Sequence, residues 1–504
     1  MKSSLPAILF ILLYTCTFSQ TGEPINIINA NELQYNEEGS AAVRKLIGNV
    51  QLQQKDVTLF CDRADFYFDE NIVDAFGNVH IKHGDTIDIY GETLHYDGND
   101  KKAKLNKNVR LTDSRMVLTT DELDYDLNTG IGFYLKEGTL VNDSAVLTSQ
   151  RGYYNANTAD VYFKTDVRLT HPDYVLSTDT LKFNTASRTA YFIAPTKIES
   201  DSFNVYCEGG YYNTQYDIAQ FENNARLTSS SQQLSADTIF YQRTRGYGYA
   251  RSNVRWADTT SNVFMTGNFA QYFENSDRVI ATKNAMLITV VDNDSLFISA
   301  DTLFSYKDTL EDYRNMLAYH HVKIFKSDLQ GVCDSISFSY KDSIFRLYYD
   351  PILWVDDNQL SADTMRMIMK NDKLYGMDLV QNALAVNQAD TGLYNQIQGK
   401  DMHGFFNEGQ LQRMEVQGNG ESIYYAKDDR NAYIGVNKAI CSNMVIYFTD
   451  DRRVGRIYFL TEPDASLYPV NQFPKEESKL KNFNWFIDKK PMSKADLLIQ
   501  HPSP

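Results

Sequence analysis

Acidic and polar side chains recur along this 504-residue chain at a spacing close to 29 residues. Asn31, Asp62, Glu92, Asp121, Gln150, Asp179, Glu208, Asp237, Asn268, Asp301, Asp334, Asp363 and Lys400 mark thirteen copies. Paired carboxylates can act as general acid and base. An active site occurs once, however, and these groups occur in every copy, so they read as turn or sheet-edge elements. The histidines give no metal spacing. His80 and His83 fall on opposite faces of a strand, and His320 and His321 alternate. HExxH, CxxC, a GxSxG elbow and a phosphate loop are all missing. We therefore expect no enzyme, catalytic residue, metal site or cofactor.

Cysteine chemistry reads the same way. Cys61, Cys207 and Cys333 occupy the small position just before the anchor, where other copies carry Ala, Ser, Thr or Gly. At roughly 10 Å per two-strand repeat they would lie about 40–50 Å apart. A disulfide needs Cα atoms within about 7 Å. No disulfide is expected among them, and all three read as small packed residues.

The elements that must hold these positions follow from two ladders. The first is aliphatic–x–small–acidic–x–aliphatic–x–aromatic: LFCDRADF from Leu59, LTTDELDY from Leu118, LSTDTLKF from Leu176 and LSADTIFY from Leu234. The second lies between its copies: GNVQL from Gly48, GNVHI from Gly77, KNVRL from Lys107, SNVRW from Ser252. Asn before a β-branched residue reads as a turn feeding a strand. Each period then holds two strands of about eight to eleven residues. Within the first ladder the positions before the anchor share one strand face, and those two and four after it share the other. Either the strand is buried on both sides, or a bend at the anchor swaps the faces. We favour the bend, which would make the strands turn a corner together.

Composition fits an exported β protein. Tyr (34) and Phe (28) are abundant, which suits strands. The net charge of −16 argues against nucleic acid, which requires a basic face. Lys2 and the apolar run Leu5–Tyr14 read as a signal peptide, with cleavage before Gln20. An uncleaved anchor and acylation at Cys16 are the alternatives. The expected organisation is a signal peptide at 1–19, a β array over 20–425, terminal strands over 426–460 and a tail over 461–504. In that tail Phe483, Trp485 and Phe486 are expected to cap the last strand or dock on a partner.

The export signal, the 29-residue all-β period, the GNV segments and the small–Asp–x–Leu–x–Tyr ladder together resemble the OstA-like family. That family includes the lipopolysaccharide-transport protein LptA and the periplasmic region of LptD. The resemblance covers roughly residues 29–425 and implies an elongated open β-jellyroll, or β-taco. It implies a periplasmic carrier or bridge for lipopolysaccharide in outer-membrane assembly. Other lipopolysaccharide-transport proteins, or further copies of the chain stacked head to tail, would meet it at the strand edges. Leu94, Tyr96, Leu123, Tyr125, Leu181, Ile239, Tyr241 and Leu303 are the candidates for the groove wall. The plainer alternative for each is a place in a dry core. The acidic charge would repel lipid A phosphates unless basic turns such as Lys101, Lys102 and Lys104 met them. A competing reading is a structural or adhesive extracellular β-repeat protein without lipid cargo.

Overall fold

The computed structural model describes residues 23–498, apart from 39–40, 114–115, 143–144, 261, 292, 309–312, 409, 429, 431 and 450–453. The expected signal peptide, with Cys16, lies outside the described residues. The chain is all-β, built from antiparallel strands and a few short 3-10 turns. Among the described residues no helix is long and apolar enough to cross a membrane. The chain divides into two compact units, Met1–Ala190 and Tyr191–Pro504.

In unit 1, strands Ala41–Gln54, Val57–Tyr67, Ile72–His83, Ile87–Asp97, Lys102–Asp113 and Met116–Asp126 pair in sequence order. The expected bend is present. In Val57–Tyr67 the buried residues are Val57, Leu59 and Cys61, then Ala64 and Phe66, so the buried parity flips at Asp62. Met116–Asp126 repeats this, with Met116 and Leu118 buried before the anchor and Leu123 and Tyr125 after it. Each long strand thus buries one continuous side, called here the inner face, around a corner.

The GNV segments correct the sequence reading. They are not turns between strands but lie in mid-strand, as in Ile72–His83. Gly77 and Asn78 both have positive φ (76° and 43°), and there three residues face two on the neighbouring strand. The same left-handed pair recurs at Lys107 and Asn108, at Asn223 and Asn224, and at Ser252 and Asn253. A left-handed residue costs about 1–2 kcal/mol unless it is Gly, or an Asn or Asp with local bonding. The anchors supply that bonding. Asn78 Nδ2 donates to Asp62 Oδ2 (2.9 Å), Asn108 to Glu92 (2.5 Å), Asn224 to Glu208 (3.1 Å) and Asn253 to Asp237 (2.9 Å). His321 takes the Asn role against Asp301 at 2.8 Å. A Cβ on Gly77 would stand 2.5 Å from the Asp62 carboxylate, so a larger residue here would need that side chain to shift. The corner therefore belongs to both ladders: one strand flips its parity while its neighbour bulges.

Unit 2 continues the pattern with long strands such as Gln232–Gln242, Tyr247–Asp258, Val263–Phe273, Arg278–Val291 and Asp294–Lys307. Its last long strand, Tyr433–Phe448, pairs with Val454–Leu460 and Asp464–Tyr468 along its two halves. The tail does not simply cap that edge. Leu480 packs with Ile423, Tyr425 and Val436, and the chain then runs back across earlier strands. Buried Gln396 brackets it: Nε2 donates to Ser478 O (2.8 Å) and Oε1 accepts from Leu480 N (2.8 Å). Buried Gln359 repeats the arrangement with Asn484 O (2.8 Å) and Phe486 N (2.7 Å). Phe483 and Trp485 both lean on Tyr394, at 5.1 and 5.4 Å between ring centroids. The tail ends its described course with Leu497 O on Ser299 Oγ, at 2.9 Å.

Candidate functional site

A carrier of acyl chains needs a continuous apolar surface that water does not fill. The inner face is the place to look, because the alternation of each strand sends its Leu, Ile, Val and aromatic residues there. In unit 1 that space is closed. Leu94 pairs with Leu105 and Leu105 with Leu123 across neighbouring strands, and all three are buried. Leu181 is fully buried opposite Phe163. Tyr134 fills the corner region, its hydroxyl 2.7 Å from Ser149 Oγ. A Cβ on Gly152 would stand 2.2 Å from the Tyr134 ring, so the ring fits only because no side chain is there.

Three hydrogen bonds tie residues from before and after the corner together in unit 1. The Tyr96 hydroxyl donates to Gln54, the Tyr125 hydroxyl lies 3.2 Å from His83 Nδ1, and the Tyr154 hydroxyl donates to Asp113 Oδ2 (2.7 Å). The three tyrosines and their partners each advance by about one period, so the repeat forms a clasp along the inner face. Burial pushes the Tyr96 and Tyr125 phenols above their usual range, which keeps them protonated as donors. Tyr96 and Tyr125, read from the sequence as groove wall, thus occupy the clasp.

Unit 2 departs from this. Tyr241, at the position equivalent to Tyr96, turns its hydroxyl to Glu274 (2.5 Å). The next equivalent, Tyr272, is 39% exposed. Beyond it lies a partly open apolar trough with a cavity of about 40 Å³, and Met265, Leu287, Ile298, Leu303, Met316 and Phe338 stand on its walls. A second trough, also with a cavity of about 40 Å³, adjoins it through the shared Phe345, and Met367, Met369 and Phe406 line it. Of the residues singled out from sequence, Leu303 lies in this trough, and Ile239 is buried on an earlier strand of the same unit.

The methionines carried a signal that sequence reading passed over. Ten of the thirteen in the chain fall between 265 and 444. Met is unbranched and polarizable, and it suits surfaces that must adapt to varied apolar ligands.

The basic turn expected to meet phosphates is already occupied. Lys101 pairs with Glu23 (3.9 Å), Lys102 with Asp100 (3.3 Å) and Lys104 with Glu122 (2.5 Å). The described histidines each lie near an Asp, as with His80 and Asp88 at 2.7 Å. Among the described residues no group of three His, Cys, Asp or Glu side chains converges as a metal set. The thiols of Cys61, Cys207, Cys333 and Cys441 are buried and free.

Comparison with known proteins adds a family. A search of curated proteins returns no match. Among solved structures the chain resembles LptH from Pseudomonas aeruginosa, the LptA-homologous periplasmic component of a lipopolysaccharide transport device. The identity is 14%, over 23% of this chain and 81% of that one, with a TM-score of 0.20. The sequence model of the family described as OstA-like protein matches residues 23–179 and 166–237, and these residues hold the corner-forming repeat described above. Over residues 23–237, less than half of its length, the chain is similar to the OstA-like protein family.

Proposed function

We propose that this protein is a non-enzymatic periplasmic carrier or bridge for lipopolysaccharide, with acyl chains seated in the Met- and Phe-lined trough of unit 2. The observation that carries the reading is that trough, which is apolar and open in a chain whose preceding repeats are packed shut. The energetic need is large. Each buried methylene contributes about 0.8 kcal/mol, so a 14-carbon chain in water costs roughly 11 kcal/mol. The match to the OstA-like family supports the same reading. Further lipopolysaccharide-transport proteins, or copies of this chain, would meet it at its edge strands, where backbone groups stand unpaired.

Binding of fluorescent lipopolysaccharide to the purified protein tests the proposal, together with photocrosslinking from probes placed at Met316 and at Leu123. Saturable binding with crosslinks from Met316 and few from Leu123 is expected. Absence of saturable binding would favour the structural or adhesive alternative. Crosslinking from Leu123 alone would move the cargo to unit 1.

A further inference from the structure

The outer face of unit 2 carries a row of side chains that the lipid reading does not use. Cross-strand pairing places Lys197 opposite Tyr206, Tyr206 opposite Arg226, Arg226 opposite Ser235, Ser235 opposite Arg255 and Arg255 opposite Thr266. Their neighbours Cys207, Ala225, Ala236 and Val254 are buried on the inner face, so the row points away from the trough. Lys197, Arg226 and Arg255 are exposed, and Tyr206, Ser235 and Thr266 are half-buried between them. The row has a sequence origin, because the NARL and SNVRW copies of the second ladder place Arg226 and Arg255 two residues after the bulge Asn. None of the ion pairs among the described residues uses Lys197, Arg226 or Arg255. The carboxylates that follow along the strands, Glu208 and Asp237, accept hydrogen bonds from Asn224 and Asn253.

We propose that this row binds an extended anionic glycan laid across the strands. Cations on alternate strands stand about 9.6 Å apart, twice the strand spacing. That interval suits a polymer with one negative charge per two-sugar repeat. It does not suit a nucleic acid, whose strand carries a charge about every 3.4 Å. A sparsely charged polymer is also the polyanion that a chain of net −16 repels least. The residues between the cations match sugar chemistry: the Tyr206 ring offers a stacking face, and Ser235 and Thr266 offer hydroxyls. The row continues through Met286 and Ser299 to Lys323, and there a polymer already lies on it. Ser299 donates to Leu497 O (2.9 Å) and Lys323 Nζ to Asp496 O (3.0 Å), so the protein's own tail occupies that end. The same surface beyond the tail is free to take a foreign chain.

The test uses the full-length protein and a labelled hyaluronan octasaccharide, which carries one carboxylate per two sugars. Anisotropy should show saturable binding that weakens as salt rises. The double variant Arg226→Ala, Arg255→Ala should bind at least tenfold more weakly, and Arg226→Lys, Arg255→Lys should stay near the parent. Lys101→Ala with Lys102→Ala should leave binding unchanged. Failure of hyaluronan to bind would overturn the proposal. Equal binding of uncharged chitohexaose, tighter binding of oligothymidylate, or full binding by the double Ala variant would do the same. Should the Ala variant misfold, loss of binding on adding Arg226→Gln alone carries the test. Lipopolysaccharide binding in the trough is read separately on the same samples, so the two proposals stand or fall independently.

Discussion

Between residues 54 and 154, three tyrosine hydroxyls reach partners on the other side of the corner, and Leu105, Leu123 and Tyr134 fill the space between. In unit 2, Tyr241 turns to Glu274 instead, and Met265, Leu303 and Phe338 surround open volume. Both regions use the same strand pair, the same bulge and the same Asn–carboxylate contact. The repeat therefore builds a wall, and two features outside its core pattern decide whether the wall encloses a core or a trough. One is where the aromatic hydroxyl finds its partner. The other is whether ring and branched side chains, or methionines, occupy the inner face.

Truncating the inner face gives the sharpest contrast. Leu123→Ala should cost about 2–5 kcal/mol, because the packed site cannot collapse around the cavity. Met316→Ala, which only widens an open trough, should cost less than half as much. Urea denaturation of both variants checks this. Equal losses would mean that the trough is as tightly packed as unit 1. A smaller effect is expected from the clasp. Tyr125→Phe removes the contact to His83 and should cost about 0.5–1.5 kcal/mol, whereas Tyr241→Phe, whose hydroxyl meets an exposed partner, should change stability little.

How far the sequence reached is clear from particular residues. The parity flip at Asp62 and Asp121 follows from the ladder alone, since alternation is local to one strand. The role of Asn78 and Asn253 did not follow. An isolated Asn–Val pair reads equally as a turn or a bulge, and the carboxylate that decides the matter sits sixteen residues away on a neighbouring strand. Leu303 lies in the trough, whereas Met316 and Phe345 were missed because they lie outside the ladder positions that defined the repeat. The tail was misjudged for a related reason. Its anchors, Gln359 and Gln396, are more than eighty residues from the segments they hold.

The smallest contrast concerns the buried thiols. Burial pushes the Cys207 thiol up to about 11 and the Cys61 thiol up to about 12, from an ordinary 9.0. The folded state prefers the neutral thiol in both, so their contribution to stability is complete below pH 9. It is lost as pH rises through 11 in unit 2 and through 12 in unit 1. Thiolate absorbance in a pH titration of the native protein should show Cys207 ionising before Cys61, and the reverse order would remove this distinction between the units.

What the sequence determined by itself is the period, the two strands in each copy and which side chains face inward. Each of these depends on contacts within a strand or between adjacent strands, and a 29-residue repeat records them directly. What only the tertiary structure decided is where the inward-facing volume is filled and where it stays open, and that the tail lies across the outer face. Both depend on whether side chains brought together from distant strands sum to the space between them. Packing is a property of that sum, and no single copy of the repeat contains it.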